Sequence, residues 1–135
     1  MATRVLDSWA LMALFMDQTG AEQVENILIR AEAGKDRLLL SAVNWGEIYY
    51  SIHRAVSKEA AEAKSRDIAA MPIQIMPIND DLELVRQAAI FKATKRMAYA
   101  DCFAAALAKL NNAELITGDE EFREVSGEIK VHWLR

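Results

Sequence analysis

Three carboxylates in this sequence stand alone in otherwise uncharged surroundings. Between Val5 and Phe15 the only charge is Asp7, between Leu38 and His53 it is Glu47, and between Met97 and Ala108 it is Asp101. Apolar flanks predict burial, and an ionised carboxylate in such a place is costly unless something compensates it. No lysine or arginine lies within a helical turn on the C-terminal side of Asp7 or Glu47; Arg4 and Arg54 are the nearest. A divalent cation is the economical partner. A fourth acid, Asp119, sits in Thr117-Gly118-Asp119-Glu120-Glu121-Phe122. Four oxygen ligands without a His/Cys set favour Mg²⁺ or Mn²⁺ over zinc.

Each acid also has a purely structural use. Asp7 is placed to cap a helix through Leu11 or its neighbours, Asn44 with Glu47 has the spacing of a capping box, and Asp119 is placed to cap a turn through Glu120 to Arg123. Asp101, among Ala100, Cys102, Phe103 and Ala104, has no such use. Other reactive side chains form no constellation. Cys102 reads as a small packing residue, and His53 and His132 are too far apart in sequence to suggest a ligand pair. Trp9, Trp45 and Trp133 suit either core packing or stacking on unpaired bases.

The elements that must position the acids follow from periodicity. Short apolar runs alternate with longer segments of helical period, the mark of an α/β domain with a parallel sheet. Strands are expected at Arg4 to Leu6, Arg37 to Ser41, Ile73 to Pro77, Glu114 to Thr117 and Ile129 to Trp133. Helices are expected at Ser8 to Met16 and at Ala21 to Ala33, the second stopped by Gly34. A third starts near Ser41 to Asn44 and runs to Val56, and a fourth spans Lys58 to Ala70, before Pro72. Asp80 with Glu83 predicts a capping box opening a fifth, which continues to Lys95. A sixth runs from Tyr99 to Leu110, with Asn111-Asn112 as its stop. The expected fold is therefore a single α/β domain over residues 1–135, with about five parallel strands flanked by six or seven helices. Asp7, Glu47 and Asp119 then project from the C-terminal edge of the sheet, where open α/β folds bind ligands. Asp101 joins them if its helix makes the usual right-handed crossover.

Composition sets limits. The 135 residues carry 16 Lys+Arg and 20 Asp+Glu, a formal net charge of −4, and 53% are hydrophobic. Glycine and proline total 7, from 5 and 2, which fits a helix-rich globular chain. One cysteine cannot form an internal disulfide, the N-terminus lacks the apolar core of a signal peptide, and no run suits a bilayer, so a reducing cytoplasm is expected and a membrane is not. The acidic balance argues against coating nucleic acid by bulk charge. Setting aside the four acids leaves 16 bases and 16 acids, from 20 less 4. Local positive charge is supplied by Lys92, Lys95 and Arg96, and by Arg54, Lys58, Lys64 and Arg66.

Four segments in order resemble the PIN domain, and within it the VapC toxins of toxin–antitoxin modules. Val5-Leu6-Asp7-Ser8-Trp9-Ala10-Leu11 is similar to the family's opening strand, first acid and following helix. Glu47 in Asn44-Trp45-Gly46-Glu47-Ile48 matches the second acid. Ala98 to Ala108, with Asp101, resembles the segment of the third acid. Leu115-Ile116-Thr117-Gly118-Asp119-Glu120-Glu121-Phe122 resembles the closing motif, with Thr117 as its hydroxyl and Asp119 as its fourth acid. Where the family often has a further aspartate, this chain has Glu121.

The resemblance implies a metal-dependent endoribonuclease in which Asp7, Glu47, Asp101 and Asp119 hold one or two Mg²⁺ or Mn²⁺ ions and activate water against RNA phosphodiesters. Ser8, Thr117 and Glu121 would orient carboxylates or water behind them, and Lys92, Lys95 and Arg96 would meet RNA. It also implies a homodimer and a VapB-type antitoxin covering the site, with operator DNA bound only through the antitoxin. Phe15, Ile48 and Ile52 are the expected apolar contacts for such partners. The alternatives are a PIN nuclease of RNA processing or decay, a phospho-receiver-like domain, and an inactive PIN fold used for binding.

Overall fold

The computed structural model describes residues 1–135. Its strands are β1 (Ala2–Leu6), β2 (Asp36–Ser41), β3 (Ile73–Met76), β4 (Glu114–Thr117) and β5 (Val131–Trp133). Its helices are α1 (Ser8–Phe15), α2 (Ala21–Glu32), α3 (Ala42–Ala55), α4 (Lys58–Ala69), α5 (Glu83–Thr94) and α6 (Tyr99–Leu110), followed by a 3₁₀ helix, Glu120–Val125. All strand pairs are parallel, in the order β3-β2-β1-β4-β5. The sheet therefore winds outward in both directions from β1, and the carboxyl ends of β1 and β4 flank the point where its direction reverses.

Strand residues alternate between two cores, one on each face of the sheet. Val5, Leu39 and Leu115 point to the face covered by α5, α6 and the 3₁₀ helix, whereas Leu6, Leu38, Leu40 and Ile116 point to the face covered by α1 to α4. On the first face α6 is buried at eight consecutive positions, Asp101 to Ala108. Its alanines let α5 and the sheet approach closely, while Phe91, Phe103 and Phe122 fill the remaining space. Cys102 is wholly buried there, as a packing residue.

Helix ends confirm some local signals and correct others. Gly34, at φ +76°, closes α2, with Lys35 N donating to Arg30 O and Gly34 N to Ala31 O. Asn112, at φ +48°, closes α6 in the same way. The Asp80–Glu83 capping box does not form. The chain instead enters α5 through Leu82 in a left-handed conformation, φ +58°, and Asp81 Oδ1 accepts from Glu83 N at 3.0 Å. Nor do Asn44 and Glu47 make a capping box, because Ser41 caps α3 by accepting from Val43 N at 3.1 Å. Ile48 and Ile52, expected on a partner surface, are 1% and 3% exposed and belong to the core.

At the amino edge of the sheet the buried acid is fully compensated. Asp36 meets Arg30 Nε at 2.8 Å and Arg4 at 3.7 Å, and Arg4 also reaches Glu114 at 3.0 Å and faces His132 Nδ1 at 3.4 Å. This network ties β1, β2, β4, β5 and α2 together. No helix is long and apolar enough to cross a membrane.

Candidate active site

The opposite, carboxyl edge gathers acids without bases. Asp7 follows β1 directly and caps α1, its Oδ1 accepting from Ala10 N at 2.9 Å. Its Oδ2 accepts from the Thr117 hydroxyl at 2.5 Å, across 110 residues of sequence. Thr117 ends β4, and its Oγ1 in turn accepts from Asp119 N at 3.0 Å. Asp119 caps the 3₁₀ helix through Glu121 N at 2.9 Å. A single chain of hydrogen bonds thus runs from the 3₁₀ helix through β4 to Asp7. The structural uses expected of Asp7 and Asp119 are both realised, and neither removes the residue from the cluster.

Gly118, between Thr117 and Asp119, is fixed by contact rather than by backbone conformation. A Cβ there would lie 2.3 Å from Trp9 Cη2, so the Trp9 indole occupies the space where any other residue would place its side chain. The first turn of α1 thereby holds down the turn that carries Asp119.

Glu47 projects from α3, where its Oε1 accepts from Ser8 Oγ at 2.5 Å and from Asn44 Nδ2 at 3.4 Å. Asp101 lies in the first turn of α6, 7% exposed, and receives no hydrogen bond. Carboxylate oxygens of Asp101, Asp119 and Glu121 lie within 4.8 Å of one another. Glu121 thus joins the tightest group, and Asp7 and Glu47 stand beside it. The other Glu121 contact explains how it arrives there: its Oε1 accepts from Ala98 N, at the α6 N-cap, which no side chain of its own helix satisfies. Its spacing two residues after Asp119 was the sequence signal.

Electrostatics record the crowding. Burial is the chief reason that the Asp7 carboxyl is pushed up to about 7; Thr117 and Ala10 hold it down in part, while Asp119 and Glu47 add to the rise. Asp101 is pushed up to about 8, first by burial and then by Asp119, Glu121, Glu47 and Asp7. All four other acids therefore act on Asp101, which stands at the electrostatic centre. No lysine, arginine or histidine forms an ion pair with any of the five; the acids paired in this way are Asp36, Asp67, Glu114, Glu120 and Glu128.

The basic residues ahead of α6 are largely engaged. Lys92 Nζ donates to Met97 O at 2.8 Å and Lys95 pairs with Glu128 at 3.0 Å. Arg96 is exposed and has no carboxylate partner for its guanidinium, although its backbone amide donates to Glu124 at 2.9 Å. Tyr99, at the start of α6, is exposed, with its ring braced edge-on by Phe103 at 5.0 Å. Trp45 and Tyr49 stack at 5.6 Å on α3 and pack against the core beneath α4.

A parallel sheet with this order and a carboxylate cluster at its switch point define the class. Residues 4–128 match the PIN domain family, and the chain belongs to it. No curated protein matches the chain in sequence. Among solved structures, VapBC2 from Rickettsia felis, bound to a DNA fragment from its promoter, is similar with a TM-score of 0.73 at 16% identity, over 98% of this chain and 99% of that one. VapBC-1 from nontypeable Haemophilus influenzae gives 0.70 at 20% identity, over 97% of each chain. VapC20 from Mycobacterium tuberculosis, a toxin that cleaves the sarcin-ricin loop, gives 0.70 at 17% identity, over 96% of this chain and 98% of that one. At these identities the likeness is one of fold.

Proposed function

We propose that the chain is a VapC-type toxin, a divalent-metal-dependent endoribonuclease restrained by a VapB-type antitoxin. The observation that carries this is the meeting of five carboxylates, with no base to neutralise them, at the switch point of a PIN-fold sheet. The residues fit a hard cation: every donor is oxygen, and Asp7 and Asp101, raised chiefly by burial and further by the neighbouring acids, have no basic partner. In this reading Asp101, Asp119 and Glu121 are the inner ligands, and Asp7 and Glu47 complete the set. A hard divalent cation such as Mg²⁺ or Mn²⁺, if bound by these carboxylates, would supply Lewis acidity for phosphodiester hydrolysis.

The side chains around the acids hold them in place. Ser8 fixes one oxygen of Glu47 and leaves the other for the cleft, whereas Asp7 is held at both oxygens, Oδ1 by the Ala10 amide and Oδ2 by the Thr117 hydroxyl. Asp119 keeps Oδ2 free because Oδ1 is committed to the Glu121 amide. Arg96, with Lys92 and Lys95 behind it, offers positive charge for RNA phosphates beside α6. The Rickettsia felis and Haemophilus influenzae neighbours are VapBC structures, which supports an antitoxin partner here, with operator DNA reached through it. Homodimer formation and a cytoplasmic site of action complete the proposal.

The test is cleavage of total cellular RNA by the purified, antitoxin-free chain with Mg²⁺, Mn²⁺ or EDTA, with mapping of new 5′ ends. Cleavage is expected with either metal and not with EDTA, and Asp101→Asn abolishes it. Cleavage that survives EDTA or Asp101→Asn overturns the proposal.

A further inference from the structure

Asn44 is wholly buried in the first turn of α3 and serves neither as its cap nor as core packing. Its Nδ2 donates to Ala100 O at 3.0 Å and faces Glu47 Oε1 at 3.4 Å. Ala100 immediately precedes Asp101, so one amide group spans the two helices that carry two of the acids. No other side chain hydrogen-bonds to both helices. Swapping the two amide atoms would set an oxygen against a carboxylate and a carbonyl, both acceptors, so the orientation is fixed by its neighbours. Asn44 Oδ1 is then left as the chain's only buried side-chain polar atom without a partner. Such an atom normally destabilises a fold.

The geometry points to Asn44 as a positioning residue that sets the separation of Glu47 and Asp101 for cation binding, an inference that rests on the metal reading of the cleft. Ser8 tethers Glu47 to α1 and places no hydrogen bond between α3 and α6, whose other contact is apolar packing through residues such as Val43. Asn44 adds a directional link between the two helices, because the amide group that faces Glu47 within α3 also donates across to Ala100 O, beside Asp101. The Ala100 carbonyl also accepts within its own helix, so the bond from Asn44 is not needed to satisfy it. The amide therefore orders the two acids at the expense of its own oxygen.

The test is Mn²⁺ binding, read by the electron paramagnetic resonance signal of the free ion, on the full chain and on Asn44→Leu and Asn44→Ala. Thermal unfolding in EDTA is followed in parallel. Ser41→Ala, which removes the α3 cap without touching an acid, supplies a comparison that perturbs the helix alone. Both Asn44 variants are expected to bind Mn²⁺ about 10- to 100-fold more weakly. Unfolding of Asn44→Leu in EDTA should be unchanged or later than for the parent chain, since the orphaned oxygen is gone. Ser41→Ala should unfold earlier and bind normally. Asn44 variants that bind like the parent, or lose no more affinity than Ser41→Ala, overturn the assignment of Asn44 while leaving the cleft's metal role standing. Failure of the parent chain itself to bind Mn²⁺ overturns both.

Discussion

In the metal-free chain, Asp7 makes folding weaken as pH rises. Its carboxyl is moved from an ordinary 3.8 to about 7, so between these values the unfolded chain has released a proton that the folded chain retains. Stability falls with pH wherever the folded state binds more protons. The stabilisation relative to the ionised form is thus complete below about pH 4 and gone above about pH 7, a total of about 4 kcal/mol for this displacement. Between about pH 5 and about pH 8.5 the change is roughly 3 kcal/mol. Asp7→Asn removes the titration but keeps an oxygen for the Ala10 amide and presents an NH₂ to Thr117 Oγ1. Urea unfolding of both proteins in EDTA, followed by circular dichroism across this range, should show the variant gaining on the parent by that amount. The gain moves in one direction only, and relief of repulsion at Asp101 adds to it. A stability difference that is flat in pH, or that shifts in favour of the parent as pH rises, refutes the argument. Added Mn²⁺ should narrow or reverse the difference, because it binds more tightly to, and so stabilises more, the chain that keeps the Asp7 charge.

Three further perturbations test the frame around the site. Gly118→Ala drives a methyl to 2.3 Å from Trp9 and should cost about 1–3 kcal/mol in chemical unfolding, with part recovered by adding Trp9→Leu. Leu82→Gly relieves a left-handed residue at the entrance to α5 and should stabilise by about 0.5–1 kcal/mol in the same assay. Asp36→Asn should destabilise by about 1–3 kcal/mol, between the values for exposed and buried pairs. Arg30 holds the Asp36 carboxyl below its ordinary value, so this contribution is present above about pH 4 and disappears as pH falls further, a window opposite to that of Asp7.

The acids were legible because charge is conspicuous inside an apolar run, and the elements because strand and helix periods differ. The strand order was not legible in detail, since it depends on which runs pair, yet it is what brings Asp7 and Thr117 within 2.5 Å across 110 residues. At the α5 entrance the spacing of Asp80 and Glu83 predicts a capping box, whereas Leu82 turns the backbone left-handed and Asp81 takes the amide. The motif spacing points to Glu121 only as a supporting residue; its seat beside Asp101 depends on the Ala98 amide at the α6 N-cap, a contact that exists only once the 3₁₀ helix and α6 are packed. In sequence, Asn44 suggests only half of a capping box. Its bridge to Ala100 exists only once α3 and α6 are packed. Gly118 gave no signal beyond its motif, because the indole that excludes a side chain lies on another helix.

The double attachment of Asp7, to the α1 amide and to Thr117, bears on how relatives of this chain diverge. A descendant that had abandoned nucleolysis and survived as a binding module would still need an oxygen at that position to begin its first helix. Asp101 enjoys no such protection, since no donor holds it and its repulsions vanish when it is replaced. Under relaxed selection the residue at position 101 should drift early and the one at position 7 late. Retention of the first acid in a related sequence is therefore poor testimony to activity, and retention of the third is good testimony.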